Sequence, residues 1–304
     1  MAIKEPIELK WTASGLTYAG LAWGKPDQPV VIALHGWLDN ALSFVELAPL
    51  LEEYRVVALD LSGHGLSDHR SEDSGYHLWD EIPQLVDVVE QIAKGPVVLL
   101  GHSRGASVAI LLAAGLADQC EALVLVDGLL PAFGDDRNGA HQVARYVKER
   151  KKYLARPERV FASVEEFAER RKQYGFSPDS GIVLAPRALE ACEGGFRLRV
   201  DPRLFGASAL YINREQRSQI YNELEMPVLS LLAGQGLFAN SQVARDMVEQ
   251  AGRCIVHFKS TTLEGSHHLH MEPASVGQVA QCIRQFLIEA RAIHAPQSGT
   301  PEDS

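Results

Sequence analysis

Short apolar runs separated by amphipathic stretches recur along most of the 304 residues. Ile7 to Trp11 and Leu16 to Trp23 alternate polar and apolar positions on either side of Ala13-Ser14-Gly15, which predicts two antiparallel strands joined by a tight turn. Four unbroken apolar runs follow, each ending in small or polar residues. They are Pro29 to Leu34 before His35-Gly36-Trp37, Arg55 to Leu59 before Asp60, Val97 to Leu100 before Gly101, and Ala122 to Val126 before Asp127-Gly128. Between them Ala41 to Glu53, Leu78 to Lys94 (with Pro83 accepted in a first turn) and Ala106 to Gly115 carry helical spacing. Strands alternating with helices predict a mostly parallel sheet covered by helices, with ligands bound beyond the carboxyl ends of the strands.

From about Leu130 to Glu225 the strand pattern stops. Amphipathic or charged stretches replace it at Gln142 to Ala155, Val164 to Tyr174, Ser180 to Cys192 and Asn213 to Glu223. Turn-forming residues at Leu130 to Asp136 and at Glu225-Met226-Pro227 bound this segment, which reads as an inserted helical lid with a hinge at each end. Strands then resume at Val228 to Ala233 and Arg253 to Lys259, with a helix from Ser241 to Ala251 between them and a final amphipathic helix to about Arg291. Residues 1–129 and 226–304 are therefore expected to form one core and residues 130–225 the lid. The Gly-, Pro- and Ser-rich tail to Ser304 is expected to fray, and no internal repeat is found.

The run Val97 to Leu100 leads straight into Gly101-His102-Ser103-Arg104-Gly105 and then an Ala-rich helix. Strand, G-x-S-x-G and helix in succession describe a nucleophile elbow, in which a serine sits on a strained turn and glycines allow close backbone approach. Ser103 is thus the candidate nucleophile, presented at a helix N-terminus where backbone N–H groups can meet a developing anion.

Composition narrows the field. With 46% hydrophobic and 22% charged residues the chain can bury a large core, and a formal net charge of −10 argues against a nucleic-acid partner. The one basic block, Glu149-Arg150-Lys151-Lys152, fits a solvated helix face. No apolar run is long enough to span a membrane, and the N-terminus lacks a secretory pattern, so a cytoplasmic location is expected. Cys120, Cys192, Cys254 and Cys282 are scattered, which predicts reduced thiols. No phosphate-binding glycine loop or metal-ligand spacing is present, so neither a cofactor nor a metal is expected.

The chain resembles the α/β-hydrolase family over nearly its whole length outside the lid. Four motifs carry the resemblance: His35-Gly36, Asp60-Leu61-Ser62-Gly63-His64-Gly65-Leu66-Ser67, the Ser103 elbow, and Gly265 to Pro273 with His267, His268 and His270. The lid segment Gly194 to Arg203 is similar to the serine hydrolase-like branch. The resemblance implies an α/β-hydrolase fold with an eight-stranded sheet and an inserted helical lid. It also implies roles. Glu272, five residues after His267, points to His267 as the base rather than His268 or His270, which would line the pocket or bond locally. Oxyanion donors would be the backbone N–H groups of Trp37 and Arg104. The usual acid position, after the strand that follows the lid, is occupied by Leu237. Asp127, at the end of the preceding strand, is then the candidate acid, as in those relatives that place it there, with Asp135 or Asp136 as alternatives. His102, His64 and Asp60 are expected to fix loops.

These readings lead to a serine hydrolase acting on a carboxylic ester, with a small acyl compound as its partner and a homodimer left open. Serine at the elbow argues against the dehalogenase and epoxide hydrolase branches, whose nucleophile is a carboxylate. Thioester, amide and C–C bond hydrolysis and acyl transfer stay open, as does a non-catalytic binding protein that has kept the fold.

Overall fold

The computed structural model describes residues 5–132 and 138–294. Eight strands form one sheet: β1 (Ile7–Ala13), β2 (Leu16–Trp23), β3 (Val30–Leu34), β4 (Arg55–Leu59), β5 (Val97–His102) and β6 (Cys120–Val126), then two that follow an insertion. Helices α1 (Ile82–Ile92) and α2 (Arg104–Leu116) precede β5 and β6 respectively. The insertion contains α3 (Gly139–Leu154), β7 (Val160–Phe161), α4 (Val164–Arg171), α5 (Pro178–Ala188), β8 (Leu189–Cys192), β9 (Gly195–Leu198) and α6 (Arg214–Asn222). β10 (Val228–Gln235), α7 (Gln242–Cys254), β11 (Phe258–Ser266) and α8 (Val276–His294) complete the chain. The sheet order is β1-β2-β4-β3-β5-β6-β10-β11, with β1 and β2 antiparallel to their neighbours and every other pairing parallel.

The apolar runs are continuous because each central strand feeds two cores. In β3 and β5, Ile32, Leu34 and Leu99 face one cluster with α1, α2 and α7, whereas Val31, Ala33, Val98 and Leu100 face the other with α8. Side chains alternate across a strand, so a strand covered on both faces carries no polar position. Helix α6 also belongs to this packing: Tyr221 and Leu224 are buried in the first core, and the Tyr221 hydroxyl accepts from the Leu130 N–H. Among the described residues no helix is long and apolar enough to cross a membrane.

Three readings of the sequence differ from the structure. Ala41 to Glu53 forms two 3₁₀ turns, Ala41–Phe44 and Ala48–Leu50, because Pro49 has no N–H to continue an α-helix and Asn40 caps the first turn with its side chain. The last strand begins at Phe258, while α7 continues through Cys254. The insertion is not wholly helical. β7, β9 and β8 pair as a small antiparallel sheet, its β8–β9 hairpin turning at Gly194 and Gly195, both at positive φ.

Buried polar contacts bind the insertion to the strand-end loops. Asp60, fully buried after β4, accepts from the Ala41 and Leu66 N–H groups and pairs with Arg187 of α5 at 2.6 Å. Asp39, in the loop after β3, pairs with Arg171 of α4 at 2.6 Å, and Asn40 donates to the Leu184 carbonyl. Burial alone would raise the Asp39 carboxyl, but His102 and the Arg171 guanidinium outweigh it and hold it below the usual carboxylate range. Around these pairs lie buried histidines. His35 Nδ1–H donates to the Gly36 carbonyl while Nε2 accepts from Leu61 N–H, and His64 in the same way joins Ser62 O to Leu38 N–H. Burial lowers the pKa of His35, His64, His102 and His270, and takes His268 down to about 3.

Two outcomes follow for stability. Arg187→Met strands the Asp60 carboxylate in the interior, so the protein should lose about 3–5 kcal/mol in urea unfolding; an unchanged midpoint would show that the pair does not anchor the insertion. Burial favours the neutral form of these five histidines in the folded chain, while the unfolded chain protonates them near the ordinary value. Stability contributed by their neutral forms is therefore complete above about pH 6.5 and is lost as pH falls. Unfolding free energy should drop between about pH 7 and about pH 5.5, by about 1 kcal/mol from His268 alone, which burial takes down to about 3. Equal stability at both pH values would contradict this.

Candidate active site

Two strand ends create the site. β5 ends at His102 and the chain turns into α2 through Ser103, which is held at φ 53°, while β6 beside it ends at Val126 and the next residue, Asp127, is held at φ 43°. Left-handed backbone is uncommon for non-glycine residues and persists where the surroundings over-determine it. Here glycines make room. A Cβ on Gly105 would lie 2.0 Å from the Leu34 carbonyl, one on Gly101 2.5 Å from the Ala106 Cα, and one on Gly128 2.5 Å from the Ser103 carbonyl. The Ser103 N–H donates to the Val126 carbonyl at 3.0 Å, which locks the two strained residues together.

Ser103, His267 and Asp127 form one hydrogen-bonded chain. His267 Nδ1 lies 2.6 Å from Asp127 Oδ2, and its Nε2 lies 2.9 Å from Ser103 Oγ. A carboxylate only accepts, so the imidazole proton sits on Nδ1 and the Nε2 lone pair faces the serine hydroxyl, which donates to it. Asp127 is fully buried and held by two further donors, Ala233 N–H to Oδ1 and Leu237 N–H to Oδ2, both at 2.9 Å. The loop after β10 lacks an acid, but it and the end of β10 each supply an amide to one. It can approach because position 236 is glycine, where a Cβ would sit 2.2 Å from Asp127 Oδ2. Asp135 and Asp136, the other carboxylates considered, lie outside the described residues.

The neighbouring histidines point elsewhere. His270 bonds through Nε2 to Ser43 Oγ, and His268 Nδ1–H donates to the Gly175 carbonyl at 3.3 Å while its ring lies 3.6 Å from that of Phe176. His102 Nε2–H donates to the main-chain carbonyl of His267 at 2.9 Å, bracing the segment that carries the imidazole. Glu272 accepts from Ser266 Oγ at 2.5 Å and so pins the same loop. Ring nitrogens of His102, His267 and His268 lie within 4.8 Å of one another, but both nitrogens of His267 are already engaged by Ser103 and Asp127.

A cavity of about 520 Å³ opens over Ser103 and is lined also by Trp37, Arg104, Leu237 and residues of the insertion. The Trp37 indole N–H donates to the Leu204 carbonyl at 2.8 Å, joining the loop after β3 to the insertion. Arg104 begins α2, so the site lies at that helix's N-terminus, where unpaired amides and the helix dipole favour negative charge. Sequence reasoning missed the anchoring contacts, Arg171 with Asp39 and Arg187 with Asp60, and the role of Gly236. Only Gly128 and Gly236, small residues flanking the candidate acid and the vacant acid position, hinted at close packing there.

Comparison with known proteins agrees with this architecture. Residues 29–274 match the family model described as alpha/beta hydrolase fold. A serine hydrolase-like protein of Dictyostelium discoideum is 31% identical over 303 residues, covering 94% of this chain and 83% of its own length. The crystal structure of a hypothetical protein from Pseudomonas aeruginosa superimposes with a TM-score of 0.86 at 36% identity, covering 92% of this chain and 99% of that one. A thioesterase domain from the curacin biosynthetic pathway gives a TM-score of 0.76 at 25% identity, covering 93% and 99%. By the family-model match and by the relative's identity and coverage, the chain belongs to the α/β-hydrolase family.

Proposed function

We propose that the protein is a serine hydrolase that cleaves carboxylic esters through an acyl-enzyme, with Ser103 as nucleophile, His267 as general base and acid, and Asp127 as the orienting carboxylate. The observation that carries this reading is the unbroken chain Asp127–His267–Ser103, with the serine hydroxyl 2.9 Å from His267 Nε2 under a cavity large enough for a small substrate. Of the expected lid, residues 130–225, we take the part before α6 to cover that cavity, since Tyr221 and Leu224 of the remainder are buried in the core.

Each step uses a group already in position. Ser103 Oγ forms a bond to the ester carbonyl carbon as its proton passes to His267 Nε2, and Asp127 stabilises the resulting imidazolium through Nδ1–H. The carbonyl oxygen becomes an oxyanion. Backbone N–H groups of Trp37 and Arg104 receive it, a role supported by their place in the cavity lining and by the α2 N-terminus. When the intermediate collapses, the bond to the alcohol oxygen breaks and the imidazolium supplies its proton. Water then attacks the acyl-enzyme with His267 again as base, releasing the acid and restoring the serine. A thioester would pass through the same steps with a thiol leaving group. The fold likeness to a thioesterase domain is compatible with that substrate class.

A fluorophosphonate probe should label Ser103 in the folded protein, and Ser103→Ala should abolish both labelling and hydrolysis of p-nitrophenyl butyrate. Folded wild-type protein that is neither labelled nor active would sink the hydrolase reading in favour of ligand binding. Asp127→Asn should keep the cooperative unfolding transition yet cut kcat by about 10⁴-fold, since the amide favours the wrong imidazole tautomer. A kcat within about tenfold of wild type would remove Asp127 from the triad.

A further inference from the structure

The cavity over Ser103 is electrically lopsided. The chain carries 39 acidic residues against 29 basic ones, yet no Asp or Glu is found among the described residues lining the cavity, whereas Arg104, Arg150 and Arg203 are. The carboxylates that accompany these arginines sit behind the wall or at its outer edge. Glu81 lies 4.0 Å from Arg104 and 3.6 Å from Arg70, Asp201 lies 2.6 Å from Arg203, and Asp73 is exposed at the outside.

The three guanidiniums are not equivalent. Arg203 spends its donors on Asp201 and on the carbonyls of Arg70, Ser71 and Ser74, so it ties the insertion to the loop after β4 and contributes only its field. Arg150, on α3, donates to the carbonyls of Ser74 and Glu72; among the described residues it pairs with no carboxylate, and its Nε–H takes no hydrogen bond. Arg104 donates to the Tyr76 carbonyl, and its buried Nε also lacks a partner. The same lining also holds the apolar side chains of Leu129, Phe238, Val243 and Met247. The cavity over Ser103 therefore combines apolar surface with cationic donors that have spare capacity.

We propose, resting on the hydrolase reading of the same cavity, that its substrates are amphipathic esters carrying an anionic group, a carboxylate or a phosphate, remote from the scissile carbonyl, with Arg150 and Arg104 receiving that anion. A guanidinium fork with unused N–H donors in a partly desolvated wall recognises a planar or tetrahedral oxyanion far better than a neutral group. The apolar part of the lining holds the remainder of the substrate. A neutral ester of the same length fills the cavity but leaves those donors unpaired, and this omission sets the preference.

The test uses Ser103→Ala protein, which binds without turnover, and isothermal titration with three esters of matched length: phenyl pentanoate, monophenyl glutarate and 4-carboxyphenyl pentanoate. One of the anionic esters should bind about tenfold tighter than the neutral one, and which one does so tells whether the anion belongs to the acyl or the alcohol side. The preference should shrink on raising salt, and Arg150→Gln should cut it to about threefold or less, with Arg150→Lys intermediate. Competition by inorganic phosphate against acetate separates the two anion chemistries. Equal or weaker binding of both anionic esters overturns the proposal, as does a preference untouched by both Arg150 variants. Binding in Ser103→Ala needs no chemistry, so its result bears on this proposal alone, whereas fluorophosphonate labelling of wild type bears on the hydrolase reading alone.

Discussion

Two non-glycine residues in left-handed backbone stand side by side at the ends of adjacent parallel strands, and the site depends on that arrangement. Ser103 and Asp127 each carry a conformation that costs about 1–3 kcal/mol. Neither would persist alone. The Ser103 N–H bonds to Val126 and the Asp127 N–H to Leu231, so the strain is held by ladder hydrogen bonds continuing past the strand ends. Leu38, the residue after Trp37, is a third at positive φ, its N–H bonded to His64 Nε2. Trp37, Ser103 and Gly128, each at or next to one of these positions, line one cavity because β3, β5 and β6 are consecutive neighbours in the sheet and all deliver their ends to its carboxyl edge.

The carboxylate behind the imidazole illustrates how a parallel sheet tolerates rearrangement. β6 and β10 are hydrogen-bonded neighbours, and their ends lie close enough for Ala233 in β10 and Leu237 in the loop after it to donate their amides to the aspartate that follows β6. With leucine at 237, the loop takes the supporting part, and Gly236 is what lets it come near.

Much of this was legible in the residues, for identifiable reasons. The central strands were visible because burial on both faces removes every polar position from them, and the elbow because its glycines have no substitute where a Cβ would strike backbone. Asp127 became a candidate through the absence of an acid near Leu237 and its own place at a strand end. Other parts were hidden. β11 lies at the sheet edge with most of its residues partly or fully exposed, so its pattern is polar, and the apolar Cys254-Ile255-Val256 just before it carries the stronger strand pattern. The strands of the insertion are two to four residues long, too short to show alternation. Arg171 and Arg187 sit in stretches that read as ordinary surface helix, since nothing local says that a guanidinium 132 or 127 residues from its aspartate will be buried against it.

Those two ion pairs also bear on how the fold could be rebuilt. The aspartates belong to loops of the core and the arginines to the insertion, so the joint between the two halves is keyed by charge and direction as well as by fit. An insertion transplanted from another family member onto this core would have to bring a guanidinium to each aspartate, or the graft would leave two anions facing a dry interface. Exchange of substrate-covering segments is thus constrained at two points far from the substrate, and compatibility between a donor and this scaffold can be judged from four side chains before any pocket residue is compared.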